Sequence, residues 1–143
     1  MKLFLDANVI FTAAYSPNGV SARLFALAEA GFCSLCSSAY AIDEAKRNLL
    51  LKTPSKVSHL SHLLPFITII PEPSNQSFQH AMNFSLPAKD APIMAAAILF
   101  AADILVTGDT RDFGHLFGKT VEGVIVLRPR DALEHLLKSH LTS

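Results

Sequence analysis

The sequence has no tryptophan, two cysteines and no surplus of either charge. Twelve lysines and arginines balance twelve aspartates and glutamates, so the formal charge is zero. No global positive field therefore draws the chain to nucleic acid or to an anionic membrane. Any polyanion must be met by a local patch or through bound cations. Aromatic residues make up 8% of the chain, mostly phenylalanine, and no stripe suited to base stacking is present. Long apolar runs are missing too. The longest, residues 93–106, is interrupted by Asp103 and falls short of the roughly 20 residues that span a bilayer. The opening MKLFLDANVIF carries an early acid and no small-residue cleavage site, which argues against a secretory signal and predicts a cytoplasmic protein with no membrane association. Cys33 and Cys36 lie in a segment read as a strand. Thiols three residues apart there point to opposite faces, and no second pair completes a zinc site.

What the chain has is apolar mass. Half of its 143 residues are hydrophobic and 17% are charged, a composition that folds, at a length suited to one domain over residues 1–143. Short, mostly apolar strands are expected at residues 2–5, 32–37, 66–70, 103–107 and 124–127. Helical patterns separate them: from about Ser21 to Gly31, from Ser38 with Ile42, Ala45 and Leu49 on one face, over residues 58–64, 76–84 and 91–102, and from Pro129 onward. Apolar strands without alternation, separated by helices, imply a parallel sheet covered on both faces. The expected fold class is α/β: a three-layer α/β/α, Rossmann-like arrangement around a mainly parallel five-stranded sheet.

In such a sheet, ligands bind beyond the carboxyl ends of the strands. Asp6 ends the first strand in LFLDAN, and Asp109 the fourth in LVTGDTRDF, with Asp112 three residues later. Asp90 opens the helix that leads into the fourth strand. Glu44 sits one to two turns into the helix after the second, with Asp43 beside it as a rival for the same place. Four or five carboxylates converging on one small volume cannot all ionise unaided. Mg2+ or Mn2+ resolves that conflict with oxygen ligands, and one or two such ions would activate water and steady a phosphodiester during in-line attack. Each acid also has a plainer explanation. Asp90 before Pro92 reads as an N-cap, Asp109 after Gly108 as a turn residue, Asp112 as the cap of a further turn and Glu44 as a solvated helix residue. Asp103 opens the fourth strand and so lies away from the site. Asn8 can donate to Asp6 and fix its rotamer, and the Thr107 hydroxyl is placed to support the same edge. Lys89 and Arg111 neighbour these acids and are the best-placed cations for a substrate phosphate. His59 and His62 form H-x-x-H on an expected helix and read as an exposed face.

Taken in order, LDANV, Glu44 within DEAKRNL, KDAPIMAAAI and LVTGDTRDF resemble the PIN-domain family over nearly the whole chain, most closely its VapC-type members from toxin–antitoxin pairs. The resemblance implies a Mg2+- or Mn2+-dependent endoribonuclease, the toxin of a toxin–antitoxin module. Its substrate would be RNA, and its partners a cognate antitoxin and a second copy of itself. By motif match the acidic quartet is Asp6, Glu44, Asp90 and Asp109, with Asp112 as a frequent fifth metal ligand. Glu44 is taken over Asp43 because the Arg47-Asn48-Leu49 that follows aligns with the family's helix. Asn8 and Thr107 match supporting polar positions.

Other enzymes with an aspartate after the first strand fit less well. A phosphatase of the haloacid-dehalogenase type needs a second aspartate where this chain has Asn8. A dinucleotide oxidoreductase needs a G-x-G-x-x-G that is missing after the first strand. A receiver-like phospho-acceptor domain rests on fold analogy alone. The remaining alternative is a non-catalytic PIN fold that binds RNA or protein, against which stands the presence of all four principal acids.

Overall fold

In the computed structural model, which describes residues 1–142, the chain opens with strand β1 (Lys2–Leu5), whose Leu3, Phe4 and Leu5 are all fully buried. Successive strand side chains point to opposite faces, so both faces of the sheet are covered here. β1 pairs in parallel with β2 (Ser34–Ser38) on one side and β4 (Ile104–Val106) on the other. β2 pairs in parallel with β3 (Ile67–Ile70), and β4 with β6 (Val124–Leu127). These are the five expected strands. A sixth, β5 (Thr120–Val121), adds to β6 in antiparallel fashion, giving the order β3-β2-β1-β4-β6-β5 among the described residues. The expectation of five strands is thereby corrected to six. A two-residue strand carries no periodicity, and its turn is Glu122-Gly123 rather than the usual Asn-Gly or Asp-Gly. Both turn residues hold positive φ, 52° and 85°, as a tight two-residue hairpin requires.

Between β1 and β2 run α1 (Ala7–Tyr15) and α2 (Val20–Glu29); between β2 and β3 run α3 (Ala39–Lys52) and α4 (Val57–Leu63). α5 (Asn75–Ala81) and α6 (Ala91–Leu99) lead into β4, the one-turn α7 (Thr110–Phe113) follows it, and α8 (Pro129–Thr142) comes after β6. α1 packs against α2, α3 and α4, α2 against α8, and α5 against α6. The chain steps outward from β1 to β3 and then crosses back to β4. Right-handed crossovers place α1–α4 on one face and α5–α6 on the other. The residue pattern does not announce α1, because its apolar and β-branched NVIF segment lacks a clear polar face. It buries Ala7, Val9, Ile10, Ala13 and Ala14, a stripe that only tertiary packing defines. α6 is apolar on all sides and correspondingly buried. It stops at Leu99, short of the expected Ala102, because Ala101 takes φ 50° and turns the chain into β4.

Cys33 falls just before β2 and directs its thiol at the Leu24 carbonyl, while the buried Cys36 thiol faces the Leu3 carbonyl; both are free. Asp103 accepts from the Lys2 backbone N–H at 2.7 Å, at the amino ends of β1 and β4 and away from the carboxyl edge. Among the described residues, no helix is long and apolar enough to cross a membrane. The connections from β1 and β4 leave in opposite directions, which opens a crevice between their carboxyl ends.

Leu105 in β4 is fully buried whereas Leu51 is 83% exposed. Leu105→Ala should lower unfolding free energy in denaturant titration by about 2–5 kcal/mol, and Leu51→Ala by less than about 0.5 kcal/mol. Equal losses would contradict this placement of the core.

Candidate active site

At the mouth of that crevice β1 delivers Asp6. Its backbone N–H donates to the Val106 carbonyl at 3.0 Å, extending the β1–β4 ladder by one residue. The side chain is only 4% exposed. Oδ1 accepts from the Ala7 N–H at 2.7 Å and so caps α1. Oδ2 accepts from Thr107 Oγ1 at 2.8 Å and from Asn8 Nδ2 at 3.1 Å. Asn8 Oδ1 in turn accepts from the Gly108 N–H at 2.7 Å. A Cβ on Gly108 would come within 3.3 Å of that same oxygen, so the close approach of the two loops favours glycine. Thr107 Oγ1 also accepts from the Asp109 N–H at 3.1 Å, and Asp109 Oδ1 accepts from the Asp112 N–H at 3.0 Å, capping α7. One continuous set of hydrogen bonds thus runs from the end of β1 to Asp112.

Asp90, Asp109 and Asp112 each bring a carboxylate oxygen within 4.8 Å of the others. Asp90 is 8% exposed. Its side chain makes no capping bond to α6, and Oδ2 is buried without a hydrogen-bond partner among the described residues. The capping explanation of Asp90 therefore fails in this geometry, and its carboxylate joins the cluster with one oxygen unpartnered. Asp6 and Glu44 stand outside that tight trio. Glu44 is half-buried on α3, close enough for its charge to act on Asp6, whereas Asp43 is exposed. Lys89 Nζ lies 3.4 Å from Asp112 Oδ2 and is largely exposed, as is Arg111 on α7.

Electrostatics follow from this crowding. Burial, with added repulsion from Glu44 and Asp109, raises Asp6 to about 6 against the lowering by Thr107 and the Ala7 N–H. Burial, a hydrogen bond shared with Asp112 and the charges of Asp112 and Asp6 push Asp90 up to about 7, with Lys89 opposing. Asp112 moves the other way, held below the usual carboxylate range by the Asp90 hydrogen bond and by Lys89. A buried, unpartnered carboxylate oxygen among all-oxygen donors fits a hard divalent cation, which would occupy the place a proton takes without it.

Two supports carried no signal in the sequence. Tyr40 donates its backbone N–H to Glu72 Oε1 at 3.0 Å and its hydroxyl to the Lys89 carbonyl at 3.2 Å, which ties the start of α3 to the turn bearing Asp90. It lies one helical turn before Glu44, on the same face, a relation visible only once α3 is known to flank the acids. The buried Ser37 hydroxyl donates to the Leu5 carbonyl at 2.7 Å, fixing β2 against β1 just below Asp6. The histidines lie elsewhere: His59 and His62 are exposed on α4, and His115 Nε2 sits 3.0 Å from the Phe84 carbonyl.

Raised carboxylate pKa values make the metal-free protein less stable as pH rises. The Asp6 contribution is fully present below its ordinary 3.8 and is lost as pH passes through about 6, a change of roughly 3 kcal/mol. Asp90 acts in the same direction up to about 7. A cation that binds the ionised cluster should therefore raise Tm more at pH 8 than at pH 5. Thermal melts with Mn2+ and with chelator at both pH values test this. An absent Mn2+ shift would show that the cluster holds no cation, and an equal one that the cation binds independently of these carboxylates.

A family model described as PIN domain matches residues 2–111. No curated protein matches the sequence. Among solved structures, VapBC2 from Rickettsia felis, bound to a DNA fragment from their promoter, is 18% identical with a TM-score of 0.67, over 90% of this chain and 98% of that one. FitAcB from Neisseria gonorrhoeae is 22% identical with a TM-score of 0.62, again over 90% and 98%. PAE2754 from Pyrobaculum aerophilum is 17% identical with a TM-score of 0.69, over 96% of each chain. At these identities the likeness concerns the fold.

Proposed function

Because the chain belongs to the PIN-domain family, we propose that it is a metal-dependent endoribonuclease and the toxin of a toxin–antitoxin pair. The observation that carries this reading is the convergence of Asp90, Asp109 and Asp112 beside the buried Asp6, with Asp90 Oδ2 left unpartnered. Asp6, Glu44, Asp90 and Asp109, with Asp112 assisting, would hold Mg2+ or Mn2+. Such ions supply Lewis-acid charge that steadies a phosphodiester during in-line attack by water. The chain's own contribution is alignment. Thr107, Asn8 and the Ala7 N–H hold Asp6 in a single rotamer. Tyr40 holds the backbone at Lys89, next to Asp90. Lys89 and Arg111 sit at the rim, where an RNA phosphate would pass.

The likeness to VapBC2 and FitAcB supports a cognate antitoxin as partner. Exposed Leu51, Ile69 and Leu99 offer apolar surface to a second copy. We place the protein in the cytoplasm as one domain over residues 1–143.

The test is cleavage of a mixed RNA pool by the purified protein. Cutting should require added Mn2+ or Mg2+, stop with chelator, and fall about a hundredfold or more in Asp109→Asn. Asparagine caps a helix as well as aspartate does, so α7 is retained and the loss reports the missing charge. Cutting that survives chelator or the substitution would overturn the reading. A folded, metal-loaded protein that binds RNA without cutting it would point to the non-catalytic alternative.

A further inference from the structure

The acidic cluster borders a groove of about 490 Å3 whose lining includes Asn8, Thr12, Ser21, Gly108, Asp109 and Pro129. Ser21 belongs to the first turn of α2, a ten-residue helix whose N-cap, Gly19, has no side chain to cap it. Such an end presents N–H groups and a partial positive charge, both suited to an anion. Ser21 is only 3% exposed, yet its hydroxyl has no hydrogen-bond partner among the described residues. Among the described residues Asp90 Oδ2, not Ser21 Oγ, is the fully buried side-chain oxygen without a partner, so the Ser21 hydroxyl keeps a little open surface, and Ser21 lines the groove. The same groove thus joins Asp109, at the cation-seeking cluster, to a helix start and a free donor that both seek an anion. A chain of phosphates satisfies both: one phosphate at the cluster, a neighbouring one on α2.

We propose that the first turn of α2, through its N–H groups and the Ser21 hydroxyl, binds a backbone phosphate of RNA adjacent to the phosphate at the acidic cluster. The proposal rests on reading that cluster as an RNA-directed site.

Two substitutions remove one donor each. Ser21→Ala deletes a hydroxyl that no protein group uses. Val20→Pro deletes the N–H of the first helical residue, where proline suits a helix. The preceding Gly19 already holds the extended backbone, φ −83° and ψ 177°, that a following proline requires. The probe is a fluorescently labelled single-stranded RNA of mixed sequence, titrated in Ca2+ and again in chelator, with Tm recorded alongside. Each variant should bind roughly 3- to 10-fold more weakly at unchanged Tm, and the pair more weakly still. In cleavage assays the loss should fall mainly on KM. Variants that bind as tightly as the parent would overturn the proposal, as would a parent protein that binds no RNA in either condition. A parent that binds RNA through these donors but never cuts it would remove the nuclease reading and leave the subsite. A parent that cuts, with variants that bind and cut unchanged, would do the reverse.

Discussion

The structure is organised around a carboxylate that is expensive to bury. Asp6 sits where β1, β4 and α1 meet, and each of its oxygens is engaged by a group that also serves the fold: the first N–H of α1, the Thr107 hydroxyl at the end of β4, and the Asn8 amide that reaches across to Gly108. Removing the carboxylate would leave those donors without their acceptor in a buried place. The segment that positions Asp109 and Asp112 hangs from the same atoms through Thr107 Oγ1 and Asp109 Oδ1. Geometry at one residue is therefore inherited by the others.

Those hydrogen bonds only partly offset burial, which is why Asp6 and Asp90 both hold their protons more tightly than exposed carboxyls do. The two are treated differently. Asp6 is saturated with donors, whereas Asp90 keeps a buried oxygen with none among the described residues. Folding has fixed one acid as a frame and left the other, a member of the cluster, with an unsatisfied oxygen. Strain of this kind collects at working sites, where a ligand relieves it.

Much of this was legible in the sequence. The five parallel strands announce themselves as apolar runs, and Asp6 and Asp109 could be placed at one edge because strand ends in a parallel sheet share an edge. α1 and β5 could not, one because its helical face is defined by what packs on it, the other because two residues carry no period. The plain explanations of single acids fell on the wrong residues. Capping was expected of Asp90 and Asp112, yet Asp6 and Asp109 cap helices, Asp112 lies inside α7, and Asp90 makes no capping bond. A local pattern states what a side chain can do, and the tertiary fold decides how many of those things it does at once. Tyr40 illustrates the limit: its role depends on Glu72 and Lys89, both far along the chain.

The chain has zero formal charge, but Asp6, Glu44, Asp90, Asp109 and Asp112 crowd one crevice, and that local charge repels a polyanion from it. Lys89, at the edge of the trio, is already paired with Asp112. On the proposed reading, the divalent ions thus do more than support chemistry: they reverse the sign of the field at the crevice mouth. RNA and metal then favour one another's binding, and by thermodynamic linkage the enhancement is the same in both directions. The α2 subsite answers the same difficulty from the other side of the groove. Neutral N–H and hydroxyl donors can hold a phosphate without placing a lysine or arginine beside the acids, where its charge would compete with the cations for the carboxylates.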